Sequence, residues 1–302
     1  MKLSICVVNT DGREHLLACL AAIEESSEHE LLVLDNASAD GSVEALRALG
    51  RSDLRLIALE RREGKAANDS RLLREARGEY ALLLNEDSEL HPGAAAALVR
   101  ALDDDPGAGA VGAQLVSNEG EPVPCAWRLP GVGPALAVAL GVQKLAVTQS
   151  RGTRRREVGW CQSSALLVRR AAAEEVAFLD SDFFVYSDET DFCKRLRDAG
   201  WRILFEPAAV ATHHNQLSSD RSAEKRRLVE FHRNRDLYMR KHHSTGARLV
   251  TRVLWVVAYL ERAVLRADAG RMLRHARHEL TGGRGEGIRE AAEARNRREE
   301  SA

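Results

Sequence analysis

The sequence lacks both the long apolar runs of a membrane-spanning protein and the cysteine pattern of a disulfide scaffold. No uninterrupted apolar run exceeds eight residues, whereas a spanning helix needs about 20. The five cysteines form no Cys-x-x-Cys pair and no metal-like spacing with histidine, which predicts reduced thiols in the core. The alternating run at residues 3–8 is too short for the apolar region of a signal peptide. We therefore expect a cytoplasmic protein.

Net charge is nearly absent, because 44 lysines and arginines almost balance 45 aspartates and glutamates. This balance conceals an asymmetry along the chain. Residues 1–219 carry 24 basic and 33 acidic side chains, and residues 220–302 carry 20 and 12. The C-terminal excess of 20 − 12 = +8 could face anionic lipid, nucleic acid or the acidic N-terminal part. The alternative is an ordinary solvated helical face.

Short apolar runs alternate with helical patterns through the first third of the chain. Four runs are almost continuously apolar, as strands buried on both faces should be; they are residues 3–8, 31–34, 54–59 and 80–84. The helical patterns are residues 14–25, 42–49, 68–76 and 92–102. This alternation predicts an α/β fold with a doubly wound, mostly parallel sheet.

The pattern changes after residue 116. Residues 117–157 contain four of the seven prolines, and we expect a long mobile connection there, with one helical piece near residues 134–145. Strand patterns return at residues 165–169 and 203–205, and residues 190–199 between them are helical in pattern.

These observations divide the chain into three parts. The first, residues 1–219, would be the main domain, with residues 1–116 and 158–219 as its two halves around the connection. The second, residues 220–280, is a basic helical extension. The Gly-, Arg- and Glu-rich residues 281–302 should be disordered.

Polar residues follow three of the predicted strands, at the sheet edge where open parallel sheets bind ligands. They are Asn9, Thr10, Asp11, Asp35, Asn36, Asn85, Glu86 and Asp87. Neither GxGxxG nor GxxxxGK[ST] is present, which argues against a dinucleotide fold or a P-loop. The carboxylates that end the fourth strand suit Mg²⁺ or Mn²⁺, which usually also bind substrate phosphates. The alternatives are ordinary turn and cap roles.

A second acidic group, Asp188, Glu189 and Asp191, follows an aromatic segment. Crowded carboxylates in such a setting tend to have raised pKa values, which suits a general base. Helix N-capping is the other interpretation. His213 closes an apolar stretch and could complete a divalent-metal site, although neighbouring histidines are more often structural or exposed.

Taken together, these segments resemble glycosyltransferase family 2, the inverting enzymes of the GT-A fold, and most of all its rhamnosyltransferase-like bacterial members. Residues 34–42 are similar to the family's DNxSxDGS turn, and residues 78–93 to its GEYxLLLNxD…LxPG segment. Residues 184–207 are similar to the stretch that carries the family's acidic pair. The resemblance covers residues 3 to about 245.

The resemblance implies a reaction and assigns its residues. A nucleotide-diphospho-sugar, such as dTDP-rhamnose or a UDP-hexose, would be held by Asn9, Thr10, Asp11, Asp35, Asn36, Asn68, Asn85 and Glu86. A divalent metal would bind Asp87 and His213. Glu189, or else Asp188, would deprotonate the acceptor hydroxyl, and Trp160 and Asp191 would lie on the acceptor side. The acceptor would be lipid-linked or a saccharide.

Three departures from the family pattern leave rival functions open. The usual Glu-Asp pair is reversed at Asp188 and Glu189, Ser163 replaces a usual glycine, and residues 62–68 match their loop only in part. A catalytically weakened binding or scaffold protein of this fold would fit such changes. A sugar nucleotidyltransferase is a second rival, but no early glycine-rich phosphate loop follows the first strand.

The extension suggests a further partner. Eight apolar residues at 253–260 are flanked by Arg248, Arg252, Arg262 and Arg266. A basic helix with an apolar stripe can lie on an anionic membrane, here the inner face of the cell membrane. Alternatively the stripe packs on the main domain or on a second copy in a homo-oligomer. We expect no nucleic-acid partner.

Overall fold

The computed structural model describes residues 2–23, 28–214, 223–265 and 268–301. Its strands are β1 (Leu3–Asn9), β2 (His29–Asp35), β3 (Leu54–Ala58), β4 (Tyr80–Asn85), β5 (Ser88–Leu90), β6 (Ala108–Val116), β7 (Ala126–Trp127), β8 (Arg156–Val158), β9 (Trp160–Cys161), β10 (Ala165–Arg169) and β11 (Arg202–His213). Its helices in the main domain are α1 (Arg13–Ala21), α2 (Ser42–Ala48), α3 (Lys65–Glu75), α4 (Ala94–Asp103), α5 (Val132–Ala139), α6 (Gln143–Ala146), α7 (Arg170–Glu175) and α8 (Asp188–Asp198).

Within the described ranges, nine strands form one mixed sheet in the order β3-β2-β1-β4-β10-β6-β11-β5, with β8 beside β11. Six of them, β1 to β4, β6 and β11, run in one direction, and β5, β8 and β10 run against them. The predicted α/β fold with a mostly parallel sheet is therefore confirmed.

The register aligns the ends of the three central strands. Asn9 at the end of β1 pairs with Asp35 on β2, and Val8 pairs with Asn85 on β4. The polar residues that follow these strands therefore emerge at one edge, as their positions in the sequence predicted.

Strand β6 was not predicted from the sequence, because glycine and alanine fill much of it. The structure gives a reason for one of these glycines. A β-carbon on Gly112 would lie 2.6 Å from the Cys161 sulfur, so this strand can pack against β9 only without a side chain.

The segment predicted as a mobile connection contains regular elements. It holds β7, α5 and α6, so the single helical piece expected near residues 134–145 is two short helices. Strand β7 pairs with β9 in a second, two-stranded sheet.

The C-terminal extension is helical, as predicted, and its helices are α9 (Glu224–His242), α10 (Thr245–Leu265) and α11 (Ala269–Thr281). Tyr238 and Met239 of α9 belong to the core of the main domain, so this helix is an integral part of the fold. The predicted boundary at residues 219/220, and Arg266, lie outside the described residues.

The prediction of disorder after residue 280 is wrong for residues 288–299, which form helix α12 (Ile288–Glu299). Nothing in the sequence indicated this helix, because it lacks an apolar stripe and only Ala292 and Asn296 are buried. The Glu290 side chain accepts a hydrogen bond from the Gly287 N–H at 2.7 Å and so caps its first turn. Arg295 and Glu299 form an ion pair one turn apart.

The sequence predicted buried, reduced thiols and no membrane-spanning helix. All five cysteines are buried and unpaired, as expected of core thiols. Among the helices described, none is both long and apolar enough to cross a membrane.

Candidate active site

The ends of β1 and β2 are joined by a buried polar contact. Asn9 donates from Nδ2 to Asp35 Oδ2 at 2.8 Å and to Ser38 Oγ at 3.1 Å. The second oxygen of Asp35 accepts the backbone N–H of Ser38 at 2.9 Å. The amide oxygen of Asn9 is buried and receives no hydrogen bond from the described residues. This pair therefore fixes the turn after β2 and leaves one acceptor for a ligand.

Asn36 fastens the loop after β3 to the loop after β1. Its amide accepts the Glu63 N–H at 2.8 Å and donates to the Glu63 carbonyl at 3.1 Å and to Thr10 Oγ1 at 3.2 Å. Three loops that follow β1, β2 and β3 thus form one wall.

Asp11 stands at the outer edge of this wall. One of its oxygens accepts the Ala39 N–H at 2.8 Å, and the other pairs with Arg62 and with Arg295. Burial alone would raise the pKa of Asp11, but these hydrogen bonds and charges hold it below its usual value.

The end of β4 meets the end of β11. Asp87 Oδ1 lies 3.3 Å from His213 Nε2, and the Ser164 hydroxyl lies 3.2 Å from the same nitrogen. Asn85 donates to that hydroxyl at 3.0 Å. Ser164, which the sequence did not single out, therefore ties Asn85 to His213.

A carboxylate beside an imidazole is a donor set that suits Mn²⁺ or Mg²⁺ when substrate oxygens complete the shell. Within the described ranges, no group of three His, Cys, Asp or Glu side chains could hold a metal by itself. Asp87 and His213 could thus hold such an ion only together with other ligands, such as diphosphate oxygens.

Glu86 lies beside Asp87. Burial, and then the charge of Asp87, raise the pKa of Glu86 to about 8. Its carboxyl therefore retains a proton at neutral pH.

Asp188, which is buried, and Glu189, which is half-buried, form a carboxyl pair in the first turn of α8. Asp188 is 1% exposed, and neither of its oxygens receives a hydrogen bond from an N–H or hydroxyl donor of the described chain. Burial, and then the Asp188 carboxylate, raise the pKa of Glu189 well above its ordinary value. The Glu189 carboxyl therefore keeps its proton to a higher pH than an ordinary glutamate.

Lys65 links this pair to the rest of the site, and the sequence did not indicate it as a functional residue. Its ammonium donates to Asp69 at 2.5 Å and to Ser163 at 3.1 Å. Burial opposes its charge, but Asp69, Asp188 and Glu189 outweigh this and raise the pKa of Lys65. The same ammonium stabilises the ionised form of Glu86.

The position of Lys65 is set by a close approach of two loops. Its backbone N–H donates to the Phe184 carbonyl at 2.6 Å. A β-carbon on the preceding Gly64 would lie 2.8 Å from that carbonyl oxygen, so only glycine allows the approach. The signal in the sequence was a Gly-Lys pair at the start of the helix after β3.

Asn68, one turn further along α3, is fully buried, and neither side-chain polar atom has a hydrogen-bond partner among the described residues. A buried amide in this state is an unsatisfied site, because burial without a partner is unfavourable. This leaves Asn68 available to a ligand.

The two residues predicted on the acceptor side have different environments. Trp160 stacks on Trp127 with ring centroids 4.5 Å apart. Asp191 is fully buried, and its carboxylate accepts from Arg195, Lys241 and His242 at 2.7, 2.8 and 2.7 Å. These contacts show that Asp191 joins α8 to α9, and its role on the acceptor side stays a prediction.

Comparison with known proteins identifies related sequences. Residues 4–128 match the family model of Glycosyl transferase family 2. The chain is 29% identical over 265 residues to the N-acetylglucosaminyl-diphospho-decaprenol L-rhamnosyltransferase of Mycobacterium tuberculosis H37Rv. The aligned region covers 80% of this chain and 85% of that protein.

Solved structures share the fold. The mannosyltransferase PcManGT of Pyrobaculum calidifontis, in complex with GDP-Man and Mn²⁺, superimposes with a TM-score of 0.57 at 18% identity, over 97% of this chain and 78% of that one. S. aureus TarS 1–349 with UDP-GlcNAc gives 0.59 at 12% identity, over 92% and 79%. The GT-A fold expected from the sequence is confirmed.

The raised pKa of Glu86 predicts a pH-dependent stability. In the folded protein this carboxyl keeps its proton up to about pH 8, whereas in the unfolded chain it loses it near 4.5. Its contribution to the free energy of unfolding therefore falls between those two pH values and is constant above them. Glu86→Gln, which cannot ionise, should match the parent near pH 4.5 and exceed it at pH 9.

Urea unfolding at pH 5, 7 and 9 measures this difference. Glu14→Gln, at an exposed carboxyl on α1, is the control and should follow the parent at every pH. A Glu86→Gln protein with the parent's pH dependence would contradict the assignment.

Proposed function

The chain carries a glycosyl transferase family 2 domain at residues 4–128, and from this premise we propose that it is an inverting transferase of a nucleotide-activated sugar. The observation that carries the proposal is the position of Lys65. Its ammonium donates to Ser163 at 3.1 Å, beside Ser164, whose hydroxyl lies 3.2 Å from His213 Nε2. Its backbone N–H donates at 2.6 Å to the carbonyl of Phe184, in the loop that precedes the carboxyl pair of α8. The metal-type strand end and the carboxyl pair are therefore two sides of one site.

We propose rhamnose on a dTDP carrier as the donor, with a UDP-hexose as the alternative. The support is the relative named as a rhamnosyltransferase over 80% of this chain. The buried Asn9–Asp35 pair, with Thr10, Asp11 and Asn36 around it, would hold the base and ribose. Asn68, whose amide has no protein partner among the described residues, would face the donor.

Asp87 and His213 are the residues that would hold a divalent ion. Such an ion, when bound, neutralises the charge of the diphosphate leaving group. Ser164 positions His213 through its hydroxyl, and Asn85 in turn positions Ser164. A structure that shares this fold contains Mn²⁺ with its sugar nucleotide.

The carboxyl pair would supply the base. Burial and the Asp188 carboxylate raise the pKa of Glu189, and a raised pKa makes this carboxylate, once ionised, a stronger base toward the acceptor hydroxyl. The acceptor oxygen then bonds to the anomeric carbon as the bond from that carbon to the diphosphate oxygen breaks. We assign the proton transfer to Glu189, with Asp188 as the reserve.

For the acceptor we propose a lipid-linked sugar at an anionic membrane. Helices α5, α6 and α10 expose large apolar side chains, and α5 packs against α10. The exposed residues include Leu136, Leu140, Leu145, Val253, Val257 and Leu260. Arg248, Arg252 and Arg262 flank the apolar run of α10. The named relative's substrate, a diphospho-decaprenol, is itself a lipid.

Asp87→Asn tests the metal assignment. Loss of one carboxylate oxygen donor should abolish the Mn²⁺-dependent part of dTDP and UDP binding, while the thermal unfolding midpoint stays near that of the parent. Isothermal titration with and without Mn²⁺ measures both affinities. Glu89→Gln, which removes the carboxylate paired with His214, is the control. Unchanged Mn²⁺-dependent affinity in Asp87→Asn would refute the assignment.

Glu189→Gln and Asp188→Asn test the base. Substitution of the residue that accepts the proton should lower kcat by about 10² to 10⁴ and leave donor affinity unchanged. Release of nucleoside diphosphate in the presence of acceptor measures the rate. Asp198→Asn, at the exposed end of the same helix, should keep the parent rate. The idea fails if both carboxyl variants turn over at the parent rate.

Sedimentation with anionic vesicles tests the membrane surface. The protein should bind at low salt and be released as salt rises, because basic residues near an anionic surface contribute about 1 kcal/mol each. Leu140→Glu with Leu145→Glu, at positions 67% and 72% exposed, should weaken binding. Leu49→Glu, at a residue that is 41% exposed directly after α2, is the control. If the parent protein does not sediment with vesicles at low salt, the apolar surface is a packing or dimer contact instead.

A further inference from the structure

Helix α12 lies against all three loops that follow β1, β2 and β3. Arg295 donates to Asp11 Oδ2 at 3.3 Å and to the Ala37 carbonyl at 3.1 Å. Asn296 accepts the Arg62 N–H at 2.9 Å and donates to the Arg62 carbonyl at 3.0 Å. Two adjacent residues of the C-terminal helix therefore bind the loops that would surround the donor nucleotide.

These contacts occupy polar groups that a nucleotide would need. Asp11 has one oxygen taken by the Ala39 N–H and the other by Arg62 and Arg295. The Ala37 carbonyl, next to Asn36, is taken by Arg295. A base or ribose that bound to Asp11 or to Ala37 would have to replace Arg295.

The other end of α12 is attached to the loop that precedes the carboxyl pair. Arg289 donates to the Asp182 carbonyl at 2.5 Å, and its guanidinium lies 5.7 Å from the centre of the Phe184 ring. Arg289 and Arg295 are six residues apart, which is about 9 Å along a helix. Helix α12 therefore extends from the carboxyl-pair loop to the nucleotide loops.

The joint before α12 is rich in glycine and packs closely on α9, where a β-carbon on Gly283 would clash with the Val229 carbonyl oxygen. Residues 282–287 include four glycines, and Gly282, Gly283 and Gly285 have positive φ angles of 63°, 69° and 135°. Displacement of α12 would have to break the contacts of Arg233 on α9 with the Gly285 carbonyl at 2.8 Å and with Glu290 at 2.7 Å. Movement here would leave α9, which belongs to the core, in place.

We propose that α12 is an intramolecular cover of the donor site, which competes with the donor nucleotide for Asp11 and Ala37 through Arg295. The inference rests on the proposed function, since it requires a nucleotide at the strand ends. Because the helix and the nucleotide exclude each other from the same atoms, each weakens the other's binding by the same factor. Loss of the helix contacts should therefore strengthen nucleotide binding.

The test compares two double variants of the full chain. Arg295→Ala with Asn296→Ala removes the contacts to Asp11, Ala37 and Arg62. Arg297→Ala with Arg298→Ala removes exposed arginines from the same helix and is the control. The Kd for dTDP and for UDP, with Mn²⁺ present, should fall about 5- to 20-fold in the first variant and stay at the parent value in the second.

Hydrogen exchange of residues 288–299 in the unaltered chain gives a second readout. Saturating dTDP or UDP should speed exchange there, because the bound nucleotide displaces the helix. Equal or weaker affinity in Arg295→Ala/Asn296→Ala, or slower exchange on binding, would overturn the inference and make α12 part of the binding site or a structural element. Failure of every variant to bind any nucleotide would overturn the proposed function, and the inference with it.

Discussion

One half-buried ammonium group, that of Lys65, determines how the candidate site is organised. Carboxyl groups approach it from α3 and α8, and without a cation their burial would force them to take up protons. The three departures from the family pattern meet at this group. Lys65 stands in the loop that matches only in part, Ser163 accepts its hydrogen bond at 3.1 Å, and the reversed Asp188–Glu189 pair lies within its electrostatic reach. The departures are thus parts of one arrangement and not separate signs of decay.

The sequence predicted the strands that carry the site and the side chains at their ends. Those strands are buried on both faces, so their apolar runs are continuous and end abruptly in polar residues, as at Leu84 and Asn85. Parallel pairing then brings such ends together whatever their separation along the chain. This is why the sequence alone predicts that Asn9, Asp35 and Asp87 lie at one edge of the sheet.

The features that the sequence did not predict depend on contacts between distant residues, which leave no local pattern in the sequence. Strand β6 has alanine and glycine where a buried strand usually has larger residues, because Cys161 occupies the space above Gly112. Helix α12 is polar and packs through hydrogen bonds to residues more than two hundred positions away. Asp191 contacts Lys241 and His242 of α9, partners that no local pattern around Asp191 indicates. Composition and periodicity record burial, and these features depend on the identity of distant partners.

The burial of all five thiols has a consequence for chemical labelling. Burial raises the pKa of each of them, so the reactive thiolate is scarce at neutral pH. Alkylating reagents would therefore reach these sulfurs only when the core opens, and the rate of alkylation would report that opening. A single cysteine introduced at an exposed position could carry a fluorophore without removal of the native five. With two such cysteines on different helices, the distance between the two labels could be measured.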